Sequence, residues 1–560
     1  MRQSNVVFMY APKSPELYAA YGAGVVLWGG GKEAAEAAAA RGVSFQGTMW
    51  LLTAWGDALA EDERLLQSVC IDIEGRPIEV PWLTDQARAL PNYWGCTNAP
   101  YYRAYLRQRA LDAVQGGVTG LHIDDHAGTA ACAAYAGGCF CEHCLAGFRE
   151  FLRANLSRER LRALGVEDIG SFDYGTHARR HAATREAYVQ RRWSIPLYSA
   201  FMNFQVRAAA GLVGDIRAEC QQALGRTLTL SANCCLPDPL HLGDYMHLDT
   251  LCGEIGLHAS EGRPSDAAHL AYKVADGVQR PLAATASGWD WAWIAEHDKP
   301  GLVKTWVAEA YACGHRFMAP HHQWAYTAEK GTHWWDCSTE DFAPLYRFVA
   351  THRDLFDGFE AVCDVVLVFN APARYRDKDR SAEAAADLAA HNVQYRVAVA
   401  GGDWVRERLD AADLMAARAV IVTSEEYLDE GQRQVISQVE KAGRLLRWEG
   451  PGSVEGRLPP GVAIRGAPHA RAVLRRNVQT GQVAVHLLNR DYDLQADDVV
   501  PAGPVELSID ASLVGDGVFT AATLYSVPGL QQVRVPLSRE GACLVLQVPH
   551  LTLWTIAVLQ

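Results

Sequence analysis

The stretch "GGCFCEHC", residues 137 to 144, places three cysteines, Cys139, Cys141 and Cys144, within six positions. This C-x-C-x-x-C spacing lets all three thiolates face one tetrahedral ion. A structural zinc takes four ligands, so a fourth must come from elsewhere. Cys96 in "NYWGCTNAP" is one source, with Cys132 and His143 as competitors, and three free buried thiols are the alternative reading. Four thiolates leave no open position for water, so a zinc held this way would staple its loop and leave the chemistry to other groups.

Those other groups are acids, histidines and tryptophans. Asp124, Asp125 and His126 stand together in "HIDDHAG", Glu254 lies in "LCGEIG", and Asp290 sits between Trp289 and Trp291 in "GWDW". Cleaving a glycoside needs two carboxyl groups about the anomeric carbon, one to protonate the leaving oxygen and one to attack or to activate water. Asp124, Asp125, Glu254 and Asp290 are the candidates. Glu254, set among glycines and apolar residues, is costly to ionise unless paired, and a raised pKa suits a general acid. A structural ion pair at the same place is the competing reading. Asp124 and Asp125 point to opposite faces if their strand continues, one into a pocket and the other free to cap or pair. Asn233, His126, His258, His321 and His322 offer hydrogen bonds to sugar hydroxyls. Adjacent His321 and His322 diverge on a strand, so one metal ion held by both is disfavoured. Trp289, Trp291, Trp293 and Trp324 offer flat faces for sugar rings, although tryptophan is equally good packing material.

A scaffold must bring these distant positions together. Eight apolar or β-branched runs alternate with helical stretches: "VVFMY" from 6, "GVVLWGG" from 24, "VSFQGTMW" from 43, "VTGLHIDDH" from 118, "TLTLSANCC" from 227, "TLCGEIG" from 250, "PLAATASG" from 281 and "HRFMAPHHQW" from 315. Eight βα units over residues 1–360 predict a (β/α)8 TIM barrel with insertions, against a doubly wound open sheet as the alternative. Nearly every run ends in polar or aromatic residues, and barrels collect their chemistry at the C-terminal ends of the strands. Residues 361–452 read strand, helix, strand, helix, strand, a small open α/β domain with no GxGxxG fingerprint. Residues 453–560 alternate at period two between turns, which predicts an antiparallel β-sandwich.

At its cysteines the chain resembles a known family. Cys96, "CFCEHC" and the following "LAGFREFL" are similar to glycoside hydrolase family 42, the barrel-based β-galactosidases, which hold zinc by one upstream cysteine and a C-x-C-x-x-C in this loop. The resemblance implies Cys96, Cys139, Cys141 and Cys144 as ligands of a structural Zn2+. It also implies the order barrel, flavodoxin-like trimerisation domain and small β domain, hence a homo-oligomer, a trimer. The catalytic residues depart from that pattern. Where the family has an Ile-Asp-Asn-Glu run, Asp124 takes the aspartate, Asp125 the asparagine and His126 the acid/base glutamate, and at the nucleophile's strand only Asp290 is on offer. The chain also resembles α-fucosidase-like and α-galactosidase-like barrels in carrying an aspartate at strand four. That analogy implies attack by Asp124 or Asp125 and protonation by Glu254.

Composition sets the outer bounds. The 560 residues, 49% hydrophobic and 21% charged, suffice for two or three cores, and the net charge of -13 without a dense basic run disfavours nucleic acid. The N-terminal stretch has no secretory core, no stretch reaches the roughly 20 apolar residues of a membrane helix, and 14 scattered cysteines suit reduced thiols or metal, so a cytoplasmic protein is expected. The expectation is a retaining, exo-acting hydrolase of a small glycoside. A carbohydrate lyase or transglycosidase, and a sugar-binding protein without turnover, are the alternatives.

Overall fold

The computed structural model describes residues 2–86, 89–515, 517–529 and 531–560. Eight parallel strands pair in chain order: β1 (Val6–Tyr10), β2 (Ala23–Gly29), β3 (Ser44–Trp50), β4 (Gly120–Asp124), β5 (Thr229–Asn233), β6 (Thr250–Ile255), β7 (Leu282–Ala286) and β8 (Arg316–Phe317). Just past β8, the Ala319 N–H donates to the Val7 carbonyl at 2.7 Å, so the sheet curls into a nearly closed barrel. The eight runs read from the sequence are these eight strands.

Alternation along the strands sorts the side chains. Leu121 and Ile123 of β4, Leu230 and Ala232 of β5 and Leu251 of β6 join the core between sheet and helices. Their neighbours face the barrel axis, where Val7, Met9, Val25, Leu27, Cys252, Ala283 and Met318 form a separate apolar plug. A polar set shares the interior: His122 Nδ1 lies 2.8 Å from Ser231 Oγ, and that hydroxyl donates to Gln46 Oε1. Burial pushes the His122 pKa well below its ordinary value and keeps the ring neutral. The same parity puts Asp124, Asn233 and Glu254 on the axis side at the C-terminal edge.

Helices flank the barrel at the points that matter for the site. Helix α1 (Pro100–Gln115), begun by a proline whose missing N–H costs nothing in a first turn, leads into β4. Helix α2 (Glu142–Asn155) follows the cysteine loop, and the 27-residue α3 (Tyr198–Leu224) returns the chain to β5. Helix α4 (Gly288–His297) follows β7 and is capped by Ser287, whose Oγ accepts from the Asp290 N–H. After β8 comes the antiparallel hairpin β9 (His322–Thr327) and β10 (Gly331–Asp336).

Beyond the barrel, β11 (Val365–Asn370), β12 (Tyr395–Ala400), β13 (Ala419–Val422) and β14 (Leu445–Arg447) make a parallel sheet in the order β12-β11-β13-β14. The C-terminal part supplies eight strands of a nine-stranded antiparallel sheet. Its strand Gln532–Glu540 pairs first with Ala521–Val527 and then with Cys543–Val548, folding the sheet over its own core. Phe359–Ala361 adds an edge strand to this sheet through Arg471–Asn477. Arg490 ties it to the barrel helices, 2.9 Å from Asp266 and 3.4 Å from Glu309. Among the described residues no helix is long and apolar enough to cross a membrane.

Candidate active site

Because β4, β5 and β6 are neighbours, Asp124, Asn233 and Glu254 stand side by side at the barrel mouth. The Asn233 Nδ2 donates to Asp124 Oδ1 at 3.1 Å and to Glu254 Oε1 at 3.4 Å. Both bonds meet at one nitrogen, so those oxygens stand at most about 6.5 Å apart, the scale on which paired glycosidase carboxyls work. Asp124 takes two further donors, the Trp28 indole Nε1 at 3.2 Å and the Asp125 backbone N–H at 3.0 Å. Burial, and then the charge of Asp124, push the pKa of Glu254 up to about 7, with the Asn233 bond opposing. The Tyr10 phenol is held well above its ordinary pKa by burial and then by Glu254 and Asp124, so it keeps its proton.

Asp125 leaves the strand. Its φ of 52° turns the chain into the left-handed region, which Asp tolerates better than most residues, and aims its carboxyl at the Thr53 hydroxyl, which donates to Oδ2. Burial and then Asp124 raise its pKa to about 7. A hollow of about 430 Å³ at the β2–β3 rim is lined by Tyr10, Trp28 and Trp50 together with Lys32, Phe45 and Arg109, and Asp124, Asn233 and Glu254 do not line it.

Four residues expected at the substrate belong to the scaffold instead. His126 is buried, with Nδ1 2.8 Å from Asp244 Oδ1 and Nε2 3.2 Å from His241 Nδ1, so neither nitrogen is free for a hydroxyl. Burial opposes its charge, but Asp244 and Cys234 outweigh it and hold the pKa well above normal. Burial and then that cation push His241 down to about 4, leaving a neutral ring to accept the proton of His126. The Asp290 carboxylate is filled by the backbone N–H groups of Leu257 and Ala259, both at 2.8 Å, and by the Ser287 hydroxyl at 2.7 Å. It fixes the turn that carries exposed His258 at φ 56° and cannot attack a substrate. His321 is buried edge-on against Phe8, with Nε2 3.1 Å from the Tyr10 carbonyl, and burial lowers its pKa to about 4. Trp291 is 1% exposed and donates to the Thr285 hydroxyl at 3.1 Å. It shares a helix with Trp289, and two residues on a helix are about 200° apart, so one ring enters the core while the other, 63% exposed, faces out.

The outward ring joins an aromatic face. Trp289 meets Tyr326 edge-on at 5.5 Å, Tyr326 stacks with Trp324 at 6.0 Å, and His322 lies flat on exposed Trp334 with centroids 4.4 Å apart. His322, Trp324 and Tyr326 alternate along β9 and register with Asp336, Trp334 and Thr332 of β10, so all share one side of the hairpin. Tyr10 touches Trp334 at 5.3 Å and links this face to the carboxylates.

The cysteines form a second, separate group. The sulfurs of Cys96, Cys139, Cys141 and Cys144 all lie within 4.8 Å of one another, with Cys96 3.5 Å from Cys141 and 3.6 Å from Cys144. Four sulfurs about 2.3 Å from a tetrahedral zinc would be about 3.8 Å apart, so this set fits the ion. Asn98 Nδ2 lies 3.2 Å from the Cys144 sulfur, the kind of outer partner that orients a thiolate. Of the two competitors, the His143 side chain lies 3.7 Å from Glu142 at the surface, and neither it nor Cys132 belongs to the four-sulfur group.

No family model matches the chain. Two curated relatives are both named α-agarase. The one from Thalassotalea agarivorans is 26% identical over 446 residues, and the one from Alteromonas agarilytica 24% over 440. Each match takes in 75% of this chain, which spans only about 30% of the length of those relatives. Among solved structures, α-L-fucosidase isoenzyme 2 from Paenibacillus thiaminolyticus aligns over the whole of both chains at a TM-score of 0.64 and 11% identity. The β-galactosidase from the psychrophilic Marinomonas ef1 aligns over 99% of this chain and all of its own at 0.58 and 10%. Both share its fold.

Several site residues escaped the sequence reading. Tyr10 and Trp28 end the first and second strands, so the rule that selected Asn233 and Glu254 points to them as well. Thr53, His241 and Asp244 lie in connecting segments, where nothing local marks them as partners of β4. Trp334 needed the hairpin pairing to be placed opposite Trp324.

Proposed function

We propose that this chain is a retaining glycoside hydrolase in which Asp124 is the nucleophile and Glu254 the general acid/base. The observation that carries the reading is the Asn233 amide bridging the two carboxyls within about 6.5 Å. Retention needs carboxyls about 5 to 5.5 Å apart, whereas inversion needs about 6.5 to 9.5 Å to admit a water. The division of roles follows from the surroundings. Asp124 is held in place by three N–H donors, and Glu254, whose pKa burial and Asp124 raise to about 7, is the better acid. Glu254 gives its proton to the leaving oxygen as Asp124 attacks the anomeric carbon. It then takes a proton from the water that frees the sugar.

The relatives named α-agarase and the exposed ring face at the mouth support a galactan chain as substrate, in preference to the small glycoside and exo action expected of a cytoplasmic enzyme. We read the four-cysteine group as a structural zinc site of the family 42 kind. It would pin the loop before α1 to the loop after β4, with no part in bond cleavage. The four-stranded parallel unit, in strand order 2-1-3-4, is read as flavodoxin-like and as the trimerisation element. Incubating the protein with agarose and with aryl α- and β-glycosides tests the reading. New reducing ends or released phenol that vanish in both Asp124→Asn and Glu254→Gln support it. An unsaturated product would mean a lyase, and binding without turnover a sugar-binding protein.

A further inference from the structure

A second cleft, of about 300 Å³, opens between the barrel rim and the parallel middle sheet. It lies beyond the carboxyl ends of β11 and β12, whose following residues Ala371 and Gly401 line it, the position at which open α/β sheets take ligands. None of the catalytic candidates lines it.

Its walls are built and held. The Arg376 guanidinium is sandwiched between the rings of Trp193, at 4.7 Å, and Tyr427, at 4.6 Å. Its nitrogens donate to the Pro372 carbonyl at 2.8 Å and the Ser199 hydroxyl at 3.3 Å. Asn203 accepts from the Trp404 indole at 2.7 Å and donates to Asp403 Oδ2 at 2.5 Å, which locks the barrel wall to the opposite one. Two observations point to a ligand. Trp193 and Tyr427 remain 37% and 50% exposed although each is already fixed by the arginine. Gln432, only 2% exposed and lining the cleft, uses its amide nitrogen on the Gly401 carbonyl at 3.1 Å and leaves its Oε1 with no hydrogen-bond partner. A buried acceptor left unpaired is costly unless a donor arrives. Arg376 and Arg408 balance Asp403 and Asp429 in the lining, so the cleft presents no net charge to an ion. Rigid ring faces, one unpaired buried acceptor and zero net charge fit a neutral, polyhydroxylated ligand.

We propose that this cleft is a second carbohydrate-binding site, holding a neutral polysaccharide chain at a distance from the cleavage point. The identity of the chain as the substrate polymer rests on the hydrolase reading above, whereas the cleft itself does not. Pro239 on its wall follows Asn233 by six residues, so the two sites are within about 20 Å along that segment. Between them Tyr135 exposes its ring while its hydroxyl donates to Asp238 at 2.6 Å. The exposed aromatic side chains among the described residues, Tyr135, Trp193, Trp289, Trp334 and Tyr427, all fall at the mouth, in the cleft or on this segment.

Native gel electrophoresis through agarose-derived polymer, dextran and sulfated carrageenan tests this, with the wild type beside Trp193→Ala, Tyr427→Ala and Trp193→Phe. Expected are retardation of the wild type by a neutral polymer, at least a fivefold weakening in both alanine variants, and recovery in Trp193→Phe. Aryl-glycoside turnover should stay within twofold throughout. Retardation unchanged in both alanine variants would overturn the site, as would retardation by carrageenan alone or a loss of assembly on gel filtration with polymer binding intact. A wild type retarded through Trp193 and Tyr427 that cleaves nothing would refute the hydrolase and leave the cleft standing.

Discussion

Replacing Glu254 by glutamine removes a proton site whose pKa is moved from 4.5 to about 7 by burial and then by Asp124. Between those values the folded protein keeps a proton that the unfolded chain has lost, so Glu254 costs stability as pH rises; the cost is absent well below 4.5 and complete above 7. Between pH 5 and pH 8 the full shift corresponds to about 2.5 kcal/mol, and partial contact with solvent at the mouth reduces this to about 1.5 to 2.5 kcal/mol. Asp124 supplies part of it: at about 6.5 Å and an effective dielectric near 40, the repulsion is about 1 kcal/mol. Glutamine is nearly isosteric, so any packing change is the same at every pH. Denaturant unfolding of Glu254→Gln and wild type should therefore show the variant gaining about 2 kcal/mol on the wild type from pH 5 to pH 8. Asp124→Asn should recover roughly half of that gain. A difference independent of pH, or one that favours the wild type at pH 8, would mean that Glu254 is ionised and paired in the native state, and the general-acid role would fall.

Four other outcomes follow. The kcat/KM profile should decline above about pH 7 as Glu254 loses its proton, and a profile flat to pH 9 would contradict the assignment. Asp290→Asn should lower the melting temperature through the turn at His258, whereas Asp124→Asn should not lower it and should remove turnover by taking away the nucleophile. Trp291→Ala should cost about 3 to 5 kcal/mol in unfolding experiments, and Trp289→Ala less than about 0.5 while raising KM on polymer; equal stability effects would refute the helix-face argument. Cys141→Ala should lower bound zinc, measured by mass spectrometry of metals, together with the melting temperature, and an unchanged zinc content would sink the four-thiolate site.

Strand positions were legible because period-two alternation and polar strand ends are local signals. Asn233 and Glu254 could be named from the ends of "TLTLSANCC" and "TLCGEIG" alone. What alternation does not carry is which way a chain turns once the strand stops. Asp125 enters the left-handed region one residue past β4, and Trp289 and Trp291 sit on a helix whose turn sends one ring outward and the other into the core. His126, His321 and Asp290 looked available because their partners, Asp244, the Tyr10 carbonyl and the backbone of residues 257–259, are distant in sequence or are main chain. The cysteine group was legible for the opposite reason, since three of its four members lie within six positions.

The most direct test of the central claim is the release of reducing ends from agarose, and of phenol from a panel of aryl α- and β-glycosides, by wild type, Asp124→Asn and Glu254→Gln side by side. The account predicts turnover of one sugar by the wild type and its loss in both folded variants, with Glu254→Gln retaining more activity on aryl glycosides, whose leaving groups need little protonation. Undiminished turnover in either variant would contradict it.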